Sequence, residues 1–457
     1  MSQAVRRALD SLIGWFSPLV LGIYFRRIEI MGRERIPEPP FLVVVNHVNG
    51  SIDPMLVLGP LRIPDRILAQ STLWRIPVLG QLLALAGAIP VYRRQDPEGG
   101  PAQNQESLAR AAEELAKGGI VAIFPEGVSH NLPHLAPLRT GAARLALLAA
   151  QLMGNPVRVV PVGLLSEARH RFRSSVLVVV GDTLEVEAQG TDLDSPGVRE
   201  VTRQVEAALQ RVTVNYESWE EAHTLELGAE ILARPTAFLP SRRSLSEVLA
   251  LRKALLASFR ELQRVQPAEA EELLRFVRFY QETLRTFGLE DRQVVWKWPL
   301  LLEVRFVLRT LARILVVLPL ALLGVGLNLI PYAVIDAFSR LVRDQRDQVA
   351  TFQVVPSLVA YPLTWFAWGI VAARAFGQVA VGIAVSFSGP FLGYVALLAH
   401  ERWTKRVTET RAFLRLAWRR QAARELFRRR EEVEHRLGKL LGRGRNLQGS
   451  SAQGLSF

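Results

Sequence analysis

The chain has 457 residues, enough for two to four folding units at roughly 100–200 residues each. Hydrophobic residues make up 49%, which excludes a disordered chain, and the absence of cysteine excludes disulfides, thiolate metal sites and a catalytic Cys. The net charge of +13, carried mostly by Arg, suits an anionic membrane surface or a nucleic acid, and the apolar segments below favour the membrane.

At the N-terminus, Arg6 and Arg7 precede an apolar stretch from Leu12 to Tyr24. Arg26 and Arg27 follow it, with no small-residue cleavage site. The stretch is too short for an ordinary span, which needs about 20 residues. The expectation for residues 1–27 is an interfacial helix, with Trp15, Phe16 and Tyr24 at headgroup depth.

Residues 28–215 read as an α/β domain. Four short apolar, β-branched runs predict strands: Phe41–Val45, Gly119–Phe124, Val157–Val162 and Ser175–Val180. Helical patterns at Gln103–Lys117 and Thr140–Met153 lie between them, with Thr140 as N-cap. The predicted fold class is α/β, a mixed sheet covered by helices. Residues 216–296 mix charged and apolar residues at helical spacing, as in Leu245–Val265 and Ala268–Phe287, and predict a small helical module.

Residues 297–400 contain three apolar segments without Asp, Glu, Lys or Arg: Ile314–Ile335, Val354–Ala373 and Val379–Ala399. Each is long enough to cross a hydrocarbon core ~30 Å thick. From Glu401 to the end, 15 Lys/Arg face 6 Asp/Glu, which predicts a basic tail on the cytoplasmic membrane face or a helix laced by its own ion pairs. Arg305, Arg309 and Arg313 before the first segment mark the same side, so three full crossings break parity. The simplest solution is a hairpin of the second and third segments crossing twice, with Ile314–Ile335 lying in or re-entering the membrane.

Four short blocks carry the chemistry. Asn46–His47–Val48–Asn49–Gly50–Ser51–Ile52–Asp53–Pro54 follows the first predicted strand directly. A regular helix would place His47 and Asp53 on different faces, but a turn at Asn49–Gly50 can bring them together. A carboxylate on one imidazole nitrogen would leave the other free to take a proton from an attacking hydroxyl. On the residues alone, a structurally satisfied histidine is the alternative. Gly87–Arg94 ends in two adjacent Arg residues that can clamp a phosphate. Phe124–His130 places Glu126 between Pro125 and Gly127 at a strand-to-loop transition, and Arg139 adds charge downstream. Val159–Leu164 is a strand interrupted by Pro161, which predicts an edge strand or strand end.

In order and spacing, these blocks (NHVNGSIDP, GAIPVYR, FPEGVSH and VVPVGL) resemble the glycerolipid acyltransferase family over residues 28–190. The resemblance implies that His47 is the general base and Asp53 its partner. It implies that Arg93 binds the substrate phosphate, that Glu126 and Gly127 help bind the glycerol phosphate, and that Pro161 lines the acyl-donor side. Five residues separate His47 from Asp53 where the family usually has four. The longer form, together with TLWRIPVLGQLL and PLRTGAARLAL, is similar to a fungal-type branch acting on glycerol 3-phosphate or dihydroxyacetone phosphate.

The expected activity is transfer of a fatty acyl group from acyl-CoA or acyl-carrier-protein to glycerol 3-phosphate or its 1-acyl derivative. A lysophospholipid-remodelling enzyme and a non-catalytic membrane scaffold are the alternatives. The expected setting is a cell membrane with the catalytic domain on its cytoplasmic face. Neither metal nor cofactor is expected, nor a nucleic-acid partner. The other six histidines, His130 among them, lack a comparable setting by sequence.

Overall fold

The computed structural model describes residues 17–50, 52–61, 66–75, 79–92, 100–167, 171–189, 195–234, 244–294, 300–341, 349–418 and 420–453. The chain divides into two compact units, Met1–Asn215 with Asp336–Pro356, and Tyr216–Ile335 with Ser357–Phe457.

The first unit is built on one sheet. Its strands are β1 (Arg27–Met31), β2 (Phe41–Val45), β3 (Arg66–Gln70), β4 (Ile89–Val91), β5 (Ile120–Ile123), β6 (Val157–Ser166), β7 (Ser175–Val180) and β8 (Leu184–Val186). Their order is β1-β7-β6-β2-β5-β3-β4, with β8 on β6. The pairs from β6 through β2, β5 and β3 to β4 are parallel, and β7 and β8 run antiparallel to β6. The sheet is therefore mixed, as predicted.

Strands β2, β5 and β7 are buried throughout, because both faces are covered. One face carries Val43, Val45, Ala122, Val160, Val162 and Val178. It packs under helical residues 17–24 and α1 (Ile52–Leu58) through Leu21, Tyr24, Ile52 and Leu56. Helix α2 (Leu79–Leu85) leads into β4. Helices α3 (Pro101–Ala116), α4 (Gly141–Met153) and α5 (Pro196–Val212) pack on β5 and β6.

Two expectations need correction here. Pro161 lies inside an internal strand, between β2 and the β7/β8 side. Its carbonyl accepts from Gly181 N at 2.9 Å, just beyond the end of β7. The N and O of a strand residue point to the same side, so the missing N–H faces the gap where β6 changes partner from β8 to β7. Tyr24 is 2% exposed and belongs to the core, away from headgroup depth. Trp15 and Phe16 lie outside the described residues.

The second unit contains α6 (Trp219–Ala233), α7 (Leu245–Val265), α8 (Pro267–Phe287) and α9 (Asp291–Val294). Helices α10 (Leu300–Leu341) and α11 (Val349–Phe376) follow in the chain. Helices α12 (Val379–Trp418) and α13 (Arg420–Gln453) complete the unit. The C-terminal α13 packs on α6, α7 and α8, so the module and the tail form one bundle. Gly228 lets α13 approach, since a Cβ there would lie 2.8 Å from Leu437.

The tail's cations are largely engaged. Arg429 and Arg436 sit over the rings of Phe279 and Phe276, and Arg436 reaches Glu272 at 3.1 Å. Arg430 is 1% exposed and contacts Asp291 at 3.2 Å. It also donates to the carbonyls of Ile231 and Arg234 at the end of α6.

Three apolar stretches are long enough to cross a membrane: Val317–Ala337, Gln353–Phe376 and Val379–Ala412. Helix α10 continues through Pro319 and Pro331 as one uninterrupted helix, so its backbone contains no re-entrant turn. Glycines set close packing between these helices. A Cβ at Gly369 would meet Gly382 O at 2.7 Å, and one at Gly389 would meet Trp365 at 2.3 Å. Asn328 accepts from Trp365 Nε1 at 2.8 Å and donates to Gly389 O at 3.3 Å.

Candidate active site

The site forms where β2 and β5 end. They are parallel neighbours, with Val44 opposite Ile123, so the loops leaving them emerge at the same edge. In a parallel sheet this carboxyl edge is the usual place for a ligand crevice. Asn46 anchors the first loop: its amide accepts from Leu164 N at 2.6 Å and donates to Leu164 O at 3.2 Å.

His47 follows, with its ring on that of Phe124 at a centroid separation of 4.4 Å. Nδ1 lies 2.9 Å from Asp53 Oδ2. The same oxygen accepts from the main-chain N–H groups of Val48 and Asn49, each at 2.7 Å. Gly50, with φ +49°, turns the chain left-handed before α1. Asp53 stands in the first turn of α1 and reaches back over that turn. The five-residue spacing therefore closes onto one carboxylate oxygen.

An ionised carboxylate only accepts, so Nδ1 carries the hydrogen and Nε2 keeps a lone pair. The His47 side chain is 18% exposed while that of Asp53 is fully buried, so the imidazole reaches solvent and its partner does not. Asp53 Oδ1 and the Tyr24 hydroxyl are buried without a hydrogen-bond partner among the described residues. Burial, and secondarily the charge of Asp53, push the Tyr24 phenol above its ordinary value.

Glu126 is also fully buried, and both its oxygens are engaged. Oε1 accepts from His47 N at 2.7 Å. Oε2 accepts from Ala136 N at 2.6 Å and contacts His130 Nε2. His130 thus belongs to the site, contrary to its reading by sequence. The available signal was a histidine four residues after a strand-end carboxylate. Gly127, at φ +72°, closes the turn and lies under the Arg139 stem, where a Cβ would be 3.3 Å from Arg139 Cγ. Arg139 N donates to Pro125 O at 2.7 Å, tying its loop to the Glu126 turn. Its side chain is exposed. Thr140 caps α4 by position, without a side-chain bond.

The structure thus brings together His47, Asp53, Glu126, Gly127 and Arg139. Pro161 lies within the sheet, opposite Val44 and three residues before the level of His47. Arg93 lies outside the described residues. Strand β4, which precedes it, runs parallel to β3 and ends at the same edge as β2 and β5. A cavity of about 480 Å³ lined by Arg66, Trp74, Arg110 and Lys117 does not include His47. Arg66 begins β3, so this cavity lies at the opposite edge of the sheet.

The carboxyl edge of the sheet thus carries an imidazole that reaches solvent on a buried carboxylate, with an exposed arginine on the neighbouring loop. Residues 27–165 match the acyltransferase family model. Among similar proteins is glycerol-3-phosphate O-acyltransferase 1 of Saccharomyces cerevisiae, 23% identical over 64% of this chain and 50% of that one. Another is the chloroplastic 1-acyl-sn-glycerol-3-phosphate acyltransferase BAT2 of Brassica napus, 29% identical over 33% of this chain and 40% of that one. The chain therefore spans half or less of the length of either relative. The crystal structure of the 1-acyl-sn-glycerophosphate acyltransferase PlsC from Thermotoga maritima aligns with a TM-score of 0.34 and 20% identity, covering 45% of this chain and 79% of that one.

Proposed function

We propose that the protein transfers a fatty acyl group from an acyl thioester, acyl-CoA or acyl-carrier-protein, to glycerol 3-phosphate or its 1-acyl derivative. The observation that carries this reading is the His47–Asp53 pair, with Nδ1 held at 2.9 Å and Nε2 left as a base. Nε2 takes the proton of the acceptor hydroxyl as its oxygen attacks the thioester carbonyl. The C–S bond then breaks and the thiolate leaves with the proton. Neither metal nor cofactor is needed. Arg139, and Arg93 by resemblance, face the acceptor phosphate. The five-residue spacing favours glycerol 3-phosphate. So does the reach of the similarity to the yeast glycerol-3-phosphate enzyme, which covers 64% of this chain where BAT2 covers 33%.

The membrane reading goes with it: only α11 and α12 cross, and the catalytic domain lies on the cytoplasmic face. Among the described residues no candidate span precedes α10. Val354, near the start of α11, is packed in the core of the first unit, which supports an α10 that makes no net crossing. Helix α13, after the third apolar helix, packs on α6, α7 and α8, which precede the first. That contact supports an even number of crossings.

The test uses the purified full chain in phospholipid vesicles, with labelled acyl-CoA or acyl-carrier-protein and one acceptor at a time. Turnover is expected on glycerol 3-phosphate or 1-acylglycerol 3-phosphate. Turnover confined to lysophosphatidylcholine would overturn the acceptor, and lipid binding without transfer would overturn the activity.

A further inference from the structure

The resemblance casts Glu126 as an acceptor ligand, but its geometry gives it other work. Its carboxylate is fully buried, and each oxygen already accepts from the protein: Oε1 from His47 N, Oε2 from Ala136 N and the His130 ring. A ligand would have to displace one of these bonds.

His130 completes the arrangement. Its Nδ1 accepts from Leu132 N at 3.1 Å, so the ring hydrogen sits on Nε2 and is donated to Glu126. Its own main-chain N–H donates to His47 O at 3.3 Å. The peptide groups on both sides of the His47 α-carbon are thus held from the second loop, one by Glu126 and one by His130. Asp53 fixes the imidazole ring, and this second set fixes the backbone that carries it. An orientation error of about 1 Å at a reacting group can cost roughly 100-fold in rate.

We propose that His130 is a positioning residue for the transfer reaction, acting through Glu126 on the main chain of His47. The proposal rests on His47 being the base. Its chemistry asks for a donor at the Nε2 position of residue 130 and for no contact with the acceptor.

The full chain in phospholipid vesicles is assayed for kcat and for KM of glycerol 3-phosphate or its 1-acyl form, whichever turns over, in four variants. These are His130→Gln, His130→Asn, His130→Ala and His47→Ala. A glutamine amide reaches the Nε2 position, whereas an asparagine amide reaches only the Nδ1 position. The expected result is kcat within about 3-fold of the parent for His130→Gln, and at least 10-fold lower for His130→Asn and His130→Ala, with acceptor KM within 2-fold throughout. A raised KM at unchanged kcat would make His130 an acceptor ligand and overturn the proposal. Full activity in His130→Ala, or equal losses in the Gln and Asn variants, would also overturn it. If His130→Ala does not fold, the Gln–Asn comparison decides. Full activity in His47→Ala would instead overturn the base assignment itself, so the two failures are told apart.

Discussion

Glu126 Oε1 lies 2.7 Å from the main-chain nitrogen of His47, across 79 residues of sequence. The contact exists because β2 and β5 are parallel neighbours whose loops leave the same sheet edge. The loop carrying His47 is thereby fixed to the loop carrying Glu126, and Asp53 fixes the ring independently. These two supports make separable predictions.

Replacing His47 with Ala removes the proposed base and is expected to lower kcat about 10²–10⁴-fold. Asp53→Asn is expected to be milder. Two main-chain N–H groups and the ring Nδ1 converge on Asp53 Oδ2, so an asparagine carbonyl takes that position and keeps the tautomer. Its NH₂ then occupies the Oδ1 position, which has no partner among the described residues, so the negative charge is lost while the contacts at the Oδ2 position are kept. Steady-state kcat for both variants checks this. An Asp53→Asn loss as large as that of His47→Ala would mean that the asparagine takes the opposite orientation.

Arg139 has an exposed guanidinium beside the Glu126–Gly127 turn, while its main-chain N–H holds the loop. Arg139→Ala keeps the loop bond and removes only the cation. A charge-assisted hydrogen bond is worth about 1.5–3 kcal/mol, so KM for the phosphate acceptor is expected to rise roughly 10- to 100-fold with kcat little changed. Acceptor saturation curves test this, and an unchanged KM would remove Arg139 from the phosphate site.

Much of this site could be read from the sequence. The runs Phe41–Val45 and Ser175–Val180 are uniformly apolar because both faces of their strands are buried, and the observed β2 and β7 have the same bounds. Strands β1, β3, β4 and the three-residue β8 escaped detection. RIEIM and RILAQ carry charges at partly exposed positions, and IPV has only three residues. Such strands are defined by the neighbour they pair with, which a local pattern does not reveal. The same holds for His130, whose partner Glu126 could be named but whose hydrogen bond to His47 O depends on the pairing of β2 with β5. Leu245–Val265 was legible as a helix from its period. Its packing with α13 was not, because Arg429, Arg430 and Arg436 read as solvated charges until Phe279, Asp291 and Phe276 are brought beneath them.

Three phenols make stability sensitive to alkali. Burial pushes Tyr24, Tyr216 and Tyr280 above the ordinary value of 10.0, helped by the charges of Asp53, Glu226 and Asp291 respectively. In the unfolded chain each ionises near that ordinary value, while the folded chain keeps its proton. Stability is therefore intact below about pH 10 and falls above it, by roughly 1.4 kcal/mol per pH unit for each phenol. Urea unfolding from pH 9 to 11 measures the slope. Tyr24→Phe should reduce it without loss at neutral pH, since the hydroxyl it removes has no partner among the described residues.

Arg430 closes the helical bundle, with Asp291 and the end of α6 as its partners. Arg430→Ala leaves Asp291 buried, with Tyr280 still donating to it at 2.8 Å and no cation beside it. Removing one partner of a buried pair costs about 3–5 kcal/mol. Thermal unfolding in detergent should show that loss. The double variant Arg430→Met, Asp291→Asn should recover part of it, because the carboxylate then left without Arg430, that of Glu434, is partly exposed. Equal losses in the single and double variants would make packing, rather than charge, the reason for Arg430.

The membrane reading can be tested directly because the chain has no cysteine. Single cysteines at Gly377, between α11 and α12, and at Arg436 on α13 report the two ends of the hairpin. Arg436 shares its bundle with Glu272, so its side of the membrane is that of the helical module. A membrane-impermeant maleimide applied to intact cells should label Gly377→Cys, and Arg436→Cys only after permeabilisation. A third cysteine at Glu271, on α8 before all three apolar helices, should behave as Arg436→Cys does. Labelling of Arg436→Cys but not Glu271→Cys from outside would mean three crossings. It would also require α13 to leave α8, and would overturn the packing that makes the count even.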